Sequence, residues 1–295
     1  MQKRIILIGE LIIDRNLFIR EVGRSAEFNV QKNILINEKI DLGGAGMVYT
    51  GLKLLSNQID FFSITNFNFI KNLQKLLKKN IIIDEKYLLE KNRFWKNKKM
   101  IMQINNLVNS KVAVKKFQNN LIKKIKKINK NDVVILSDYR LGIFEKNFTK
   151  KIVRLIKLNG NIIHVDQQST SRNPDLIKFK NSDFLILNRG EYLKAFKIYK
   201  LEKSNFKNSL KILQKKIGIK NLIIKDGKNG SIFLNNNKLF KVKALKTLKN
   251  ANTIGAGDFF LAKFATSKKI NMAERLFESN KFAYKKISNN IKTNN

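Results

Sequence analysis

Residues 252–265 read Asn-Thr-Ile-Gly-Ala-Gly-Asp followed by the apolar run Phe-Phe-Leu-Ala-Lys-Phe-Ala. A glycine-rich turn that opens a helix presents unpaired backbone N–H groups and the positive end of the helix dipole, so it favours a bound anion. Gly255, Ala256 and Gly257 would supply those N–H groups, and Asp258 could accept a proton from an attacking hydroxyl. The alternative is a structural turn in which Asp258 only begins the helix.

The segments around this turn predict an α/β fold. Six short apolar runs have the length and composition of buried strands. They lie at 5–9, 59–64, 133–137, 161–166, 184–188 and 222–225. Amphipathic helical patterns separate the last four runs, and strand–helix–strand order at this spacing predicts a mostly parallel sheet covered on both faces.

Other segments are typical of antiparallel strands. Residues 231–234 and 239–243 flank an Asn-rich turn and predict a hairpin. Residues 16–40 and 93–114 alternate apolar and polar side chains, which predicts a small antiparallel sheet that projects from the main body as a lid. With a last helix over about 273–288, we expect a single domain over 1–295.

Composition narrows the class of protein. The chain has 295 residues, of which 43% are hydrophobic, enough for a globular core. No run of 18 apolar residues predicts a membrane span, and the apolar stretch 5–13 is interpreted as a first strand rather than a signal peptide. The absence of cysteine excludes disulfides and thiolate metal sites, which fits the cytoplasm.

The net charge is +38, from 60 basic and 22 acidic residues. One interpretation is nucleic-acid binding. The other is compositional drift, which we favour because Lys residues are spread along the chain and mostly interrupt apolar helical patterns. We therefore expect no specific nucleic-acid partner, although the charge favours anionic ligands such as nucleotides and sugar phosphates.

The glycine-rich turn and three further segments resemble a known family. Residues 252–258 are similar to the D-T-x-G-A-G-D signature of the ribokinase-like (PfkB-type) sugar kinases. The glycines at 43–46, Asn188 with Glu191, and Gly227 with Gly230 occur in the order of that family's remaining motifs. The resemblance implies a ribokinase-like three-layer sandwich with a mostly parallel central sheet, a small projecting β lid, and kinase chemistry with ATP and Mg²⁺.

The resemblance also implies roles for individual residues. Asp258 would be the catalytic base, with Gly255, Ala256 and Gly257 as the anion hole. Glu191 would act on magnesium through water. The nucleotide and its phosphates would be bound by Asn188, Glu191, Lys225, Gly227, Gly230 and Asn280. Asn280 has an equally simple interpretation as an exposed polar residue of the last helix.

Within the family, the chain looks most like the kinases of D-glycero-D-manno-heptose 7-phosphate. Residues 9–15 resemble their G-D-x-x-x-D-R opening, and residues 136–142 resemble their L-S-D-Y-x-K-G. The sugar would contact Asp14, Gly43, Gly44 and Asp138, though Asp14 and Asp138 also fit ordinary strand-end turns. The alternatives are another sugar or sugar phosphate, or a degenerate kinase acting as a basic nucleic-acid-binding scaffold.

By the same resemblance, the product would enter nucleotide-activated heptose for lipopolysaccharide or other surface glycans. Some of those relatives carry a fused nucleotidyltransferase domain, and we expect kinase activity alone here. Lids of this kind often pair into homodimers.

Several positions depart from the family pattern. Asn252 replaces the first Asp of the signature, and Met47 replaces an Asn that follows the early glycines. Leu141 replaces a Lys, and the D-P-K that follows the fourth strand reads Asp-Gln-Gln, so Gln168 removes a cation near the phosphates. His164, the one histidine, lies within an apolar strand and is interpreted as structural.

Overall fold

The structure is a computed structural model, which describes residues 3–66, 80–168, 172–201, 205–236, 238–245 and 253–288. Thirteen strands occur in these ranges. In chain order they are β1 Ile5–Gly9, β2 Leu11–Arg24, β3 Gln31–Gly44, β4 Ile59–Thr65, β5 Ile81–Ile83, β6 Leu88–Lys96, β7 Lys99–Val108, β8 Val133–Asp138, β9 Ile162–Gln167, β10 Phe184–Asn188, β11 Asn221–Lys225, β12 Ser231–Asn235 and β13 Lys238–Val242.

Seven α-helices lie in the same ranges. They are α1 Ala45–Lys53, α2 Lys111–Ile125, α3 Lys146–Leu158, α4 Arg189–Ile198, α5 Phe206–Ile217, α6 Ala256–Thr266 and α7 Met272–Ile287. None of these helices is long and apolar enough to cross a membrane.

The main sheet has nine strands in the order β13-β12-β11-β10-β9-β8-β1-β4-β5. All pairs from β11 to β5 are parallel, whereas β12 pairs antiparallel with both β11 and β13. The predicted parallel strands and the hairpin at β12 and β13 are therefore confirmed.

Two hydrophobic clusters cover the faces of this sheet, which gives the expected three layers. One cluster takes Phe117 of α2, Ile152 of α3 and Leu213 of α5. The other takes Val48 of α1 and the aromatic side chains of α6. Burying one such side chain contributes about 1.5–3 kcal/mol, so both layers are held to the sheet mainly by apolar contacts.

The smaller sheet has the order β3-β2-β6-β7. Its two hairpins are antiparallel, but β2 and β6, at its centre, run parallel, so the prediction of a wholly antiparallel lid was wrong. The strands also begin earlier than 16 and 93, and residues 111–114 belong to α2 instead. The reason is that β2 follows β1 and β6 follows β5, and because β1, β4 and β5 are parallel, both lid strands leave the main sheet at the same edge.

A tight turn joins the lid to the main body at Gly44, which caps α1. Gly44 has φ 60° and ψ −137°, a backbone conformation that glycine adopts readily and residues with a Cβ atom rarely do. A Cβ there would also overlap the carbonyl oxygen of Glu10. Position 44 therefore requires glycine for the chain to turn from β3 into α1.

Gly44→Ala is expected to lower the free energy of unfolding, measured in urea. The matched control is Gly23→Ala in β2, because Gly23 also has a positive φ (123°) but has no atom within 4 Å of a built Cβ. The overlap with Glu10 should make Gly44→Ala the costlier change by roughly 2 kcal/mol. Equal losses would show that the turn tolerates a side chain.

Candidate active site

The predicted anion-binding turn is present at the first turn of α6. Gly255 has φ 82° and directly precedes the helix. The amide of Ala256 already donates to the Thr253 carbonyl oxygen (3.2 Å). No acceptor for the Gly257 amide is found in the described part of the chain. Gly255 and Gly257 therefore offer N–H groups to a ligand more directly than Ala256 does. Asn252 lies outside the described residues.

Met47 of α1 lies against this turn. A Cβ built on Gly255 would be 3.0 Å from both Cγ and Sδ of Met47. The residue that replaces the family's Asn thus fills the space beside the anion-binding turn with an apolar side chain.

Asp258 is buried at this turn, 8% exposed, and accepts a hydrogen bond from the Tyr139 hydroxyl (2.8 Å). Burial, then the nearby Asp166 carboxylate and, less strongly, Asp14, raise the pKa of Asp258 to about 7, against the lowering effects of Lys225 and Tyr139. A carboxyl group with a pKa near the working pH is suited to take a proton from a hydroxyl.

Asp166 and Lys225 form a buried ion pair beside Asp258. Lys225 Nζ donates to Asp166 Oδ1 (2.8 Å), and Gln168 Nε2 donates to Asp166 Oδ2 (3.3 Å). Burial alone would lower the pKa of Lys225, but the carboxylates of Asp166, Glu191 and Asp258 raise it overall. Lys225 therefore remains an ammonium group within a cluster of three carboxyl groups.

Glu191 and Asn188 form a capping box at the start of α4. The Asn188 amide donates to Glu191 Oε2 (2.7 Å), and the Glu191 amide donates to the Asn188 side chain (2.8 Å). Burial and then Asp166 raise the pKa of Glu191 to about 7. Its other oxygen, Oε1, is buried and has no hydrogen-bond partner among the described residues.

That unpaired oxygen fits a role near magnesium. Among the described residues, no three His, Cys, Asp or Glu side chains are grouped so as to hold a metal ion by themselves. Magnesium usually keeps several waters and bridges nucleotide phosphates, so a single carboxylate reaching a metal-bound water is compatible with this arrangement.

A cavity of about 410 Å³ opens beside the cluster. It is lined by five of the six residues expected to bind the nucleotide and by two of the three residues expected to form the anion hole. Its lining includes Asn188, Lys225, Gly227, Gly230, Asn280, Ala256 and Gly257. Asn280 Nδ2 donates to Ser231 Oγ (3.1 Å), so its side chain is fixed against β12 rather than free in solvent.

Asp14 lies where the lid meets the main body. Arg93 Nη1 pairs with Asp14 Oδ2 (3.0 Å), while Asp14 Oδ1 is buried without a hydrogen-bond partner among the described residues. A Cβ on Gly43 would be only 2.5 Å from the Asp14 carboxyl carbon. Gly43 thus makes room for Asp14, which retains one oxygen to accept a hydroxyl.

Asp138 has a different environment from Asp14. Its Oδ1 accepts from the Arg140 amide (2.7 Å). Its Oδ2 accepts from Gln167 Nε2 and pairs with the fully buried Lys178 (2.7 Å each). Both oxygens are therefore engaged by the protein, and the carboxylate fixes the ends of β8 and β9 rather than offering a free acceptor to a sugar.

Glu10 organises the loop that carries Tyr139. This buried carboxylate accepts from the amides of Tyr139 (2.9 Å), Leu141 (3.3 Å) and Ile143 (3.2 Å). Burial and then Asp138 raise the pKa of Glu10 to about 7. Glu10 holds the loop backbone, and the loop directs the Tyr139 hydroxyl to Asp258.

Sequence reasoning assigned no role to Glu10, Tyr139, Asp166, Arg93 or Lys178. Glu10, Tyr139 and Asp166 stand inside the quoted segments at 9–15, 136–142 and 166–168, and Arg93 begins the predicted lid segment 93–114. The motifs thus pointed to these residues, but the sequence could not show which residues more than 100 positions apart contact one another. Lys178 had no signal, because it lies outside every motif. His164 is buried and stacks on Phe184, as a structural residue does.

Residues 2–272 match the family described as pfkB family carbohydrate kinase. The chain belongs to this family. It is therefore a carbohydrate kinase, a phosphotransferase, as its motifs predicted.

Curated relatives are similar over most of the chain. The chain is 27% identical over 265 residues to the bifunctional protein HldE of Campylobacter fetus subsp. fetus. The aligned region covers 88% of this chain and 56% of that protein. The HldE of Aliarcobacter butzleri is 28% identical over 289 residues, 94% of this chain and 59% of that protein. The chain thus spans somewhat more than half the length of these relatives.

Solved structures share the fold. Arabidopsis thaliana ribokinase, complexed with ribose and ATP, has a TM-score of 0.72 at 15% identity and covers 98% of this chain and 93% of its own. Ribokinase from Thermotoga maritima has a TM-score of 0.75 at 19% identity, with 97% and 93% covered. The ribokinase-like three-layer fold is therefore confirmed.

The raised pKa of Asp258 predicts a pH-dependent stability. The folded protein retains the Asp258 proton up to about pH 7, whereas the unfolded chain releases it near its ordinary value of 3.8. Stability therefore falls as pH rises through this window. Asp258→Asn should gain roughly 2 kcal/mol relative to wild type between pH 5 and pH 8.

Urea unfolding at both pH values measures this difference. Asp60→Asn is the control, because Asp60 lies at the amino end of β4 and pairs with Arg4 (3.0 Å). It should be less stable than wild type at both pH values. An Asp258→Asn protein whose stability relative to wild type is the same at pH 5 and pH 8 would contradict the raised pKa.

Proposed function

We propose that this carbohydrate kinase uses ATP to phosphorylate the anomeric hydroxyl of a heptose 7-phosphate. The observation that carries the reaction type is the position of Asp258, a buried carboxyl group with a pKa of about 7 at an anion-binding helix start. The similarity to HldE proteins over 88–94% of the chain supports a heptose-related substrate.

Asp258 would take the proton of the attacking hydroxyl. Tyr139 would keep the carboxylate oriented, and burial raises the pKa of Tyr139 well above its usual range, so that it stays a donor. The amides of Gly255 and Gly257 would hold the charge of the transferring phosphoryl group, where losing one donor typically costs ~3 kcal/mol. Bound magnesium would neutralise the remaining phosphate charge, with Glu191 reaching it through water.

The nucleotide would occupy the 410 Å³ cavity. Gly227 and Gly230 flank a 3₁₀ turn after β11 and allow close approach of the nucleotide to the backbone. Asn280 would face the adenine from α7, and Asn188 would orient a phosphate or a metal-bound water. In this arrangement the phosphates would lie near Gly257 and the base near α7.

The sugar would bind under the lid, between Asp14 and Asp258. Asp14 Oδ1 is the acceptor available to a sugar hydroxyl, and Gly43 brings the backbone close to it, while Gly44 makes the turn from β3 into α1. Asp138 would act as a positioning residue, since its oxygens are already paired. The product would serve nucleotide-activated heptose and surface glycan synthesis in the cytoplasm.

Turnover of ATP with a panel of acceptors tests this function. Heptose 7-phosphate should be phosphorylated faster than fructose phosphates or ribose. Asp258→Asn should reduce kcat by ~10²–10⁴-fold, the usual contribution of a general base, and Asp60→Asn should not. A preference for another sugar would identify a different kinase of the superfamily. No turnover on any acceptor, with wild type equal to Asp258→Asn, would leave the degenerate kinase as the explanation.

The exposed apolar side chains of the lid also support a homodimer, in which the partner is a second copy of the chain. Met102 and Ile104 alternate along β7, so they share one face, and both are exposed. Leu35 and Ile36 of β3 are 57% and 61% exposed at the opposite edge of the same sheet. Large apolar side chains exposed at both edges of a small sheet are typical of a protein–protein contact.

Sedimentation velocity tests the homodimer. Wild type should sediment at twice the chain mass, and Met102→Glu should shift it to the monomer because a charge would be buried in the contact. Leu158→Glu on α3 is the matched control, since Leu158 is 74% exposed outside the lid and should leave the dimer intact. A wild-type monomer at tens of micromolar would contradict the proposal.

A further inference from the structure

Lys225 and Gln168 reach the same carboxylate from different strands. Lys225 is the last residue of β11, and Gln168 follows β9. Their side-chain nitrogens donate to the two oxygens of Asp166, at 2.8 Å and 3.3 Å. Two side chains that converge on one carboxylate occupy neighbouring positions, so a cation carried by either residue would lie in nearly the same place.

That place is the phosphate end of the cavity. A Cβ on Gly257 would be 3.0 Å from Lys225 Nζ, so the ammonium lies against the backbone of the anion-binding turn. Lys225 and Gln168 both line the cavity, and the Lys225 side chain keeps 12% of its surface exposed. The ammonium is therefore positioned by Asp166 and still open to a ligand.

The charge balance requires a cation here. Asp166, Glu191 and Asp258 surround Lys225, and the interactions with these three carboxylates raise its pKa. A nucleotide triphosphate would bring further negative charge to the same point, and interactions between charges are strong where water is excluded. Residues 166–168 read Asp-Gln-Gln and supply no cation of their own.

We propose that Lys225 supplies from β11 the positive charge at the transferring phosphate that position 168 does not supply in this chain. The inference rests on the proposed function. The sugar oxygen forms a bond to the γ-phosphorus and its proton passes to Asp258. The bond from that phosphorus to the bridging oxygen breaks, and its electron pair leaves with ADP. Lys225 remains protonated and offsets the phosphate charge.

The alternative is that Lys225 only neutralises Asp166 as a structural ion pair. The two roles predict different effects of Lys225 on the affinities for ATP and for adenosine. A phosphate-binding ammonium strengthens the binding of ATP but not of adenosine, whereas a structural pair changes stability and leaves the ratio of the two affinities unchanged.

Calorimetric titration with ATP–magnesium and with adenosine separates these roles. Lys225→Met should weaken ATP binding at least tenfold and change adenosine binding less than twofold. Adding Gln168→Lys to this variant should restore ATP affinity to within about threefold of wild type. Lys269→Met removes one charge from a surface lysine paired with Glu274 and should have no effect.

If Lys225→Met does not fold, the same comparison is made between Asp166→Asn and the double variant Asp166→Asn/Lys225→Met. In both proteins residue 166 is uncharged, so removing Lys225 leaves no unpaired carboxylate at that position. The tenfold loss is again expected. Equal ATP affinity with and without Lys225, or a folded Gln168→Lys/Lys225→Met protein without recovery, would overturn the proposal. Because the titration needs no acceptor sugar, a wild type that phosphorylates no sugar would refute the proposed function without deciding this one.

Discussion

The ion pair between Asp166 and Lys225 is the interaction on which the rest of the site depends. It places one ammonium among three buried carboxyl groups, and burial of a charge is tolerated only when it is paired. Asp166 raises the pKa of both Asp258 and Glu191, and Lys225 lowers it. Burial is the largest cause of the raised pKa of Asp258, and the opposing effects of Asp166 and Lys225 adjust that pKa further.

A second buried carboxylate, Glu10, connects this cluster to the fold. It holds the loop after β8 by three backbone amides, and that loop presents Tyr139 to Asp258. Glu10 follows β1, the strand that continues into the lid. The position of the proposed base is therefore coupled through one side chain to the junction of the main sheet and the lid.

The sequence was sufficient for the parallel strands, because fully buried strands are continuous apolar runs such as 184–188. It was also sufficient for the turn at 255–258, where glycine and Asp stand directly before an apolar helix. The sequence could not reveal that Asp138 is paired with Lys178, or that β2 and β6 run parallel. Those facts depend on contacts between residues 40 to 80 positions apart, which local patterns do not record.

The departures from the family pattern acquire a physical meaning in the structure. Met47, which replaces the family's Asn, packs against Gly255, so the space beside the anion-binding turn is filled by an apolar side chain. Gln168 retains a hydrogen bond to Asp166, and Lys225 provides the ammonium beside it. Changes at separate positions in the chain thus meet at one place in the fold.

We propose that burial and neighbouring charges hold the pKa of Asp258 near 7, where its carboxylate can accept a proton. Carboxyl ¹³C NMR titration of protein labelled at aspartate measures this directly, with Asp258→Asn used to assign the resonance. We expect the Asp258 carboxyl to titrate at about pH 7. An Asp258 resonance that titrates below pH 5 would contradict it.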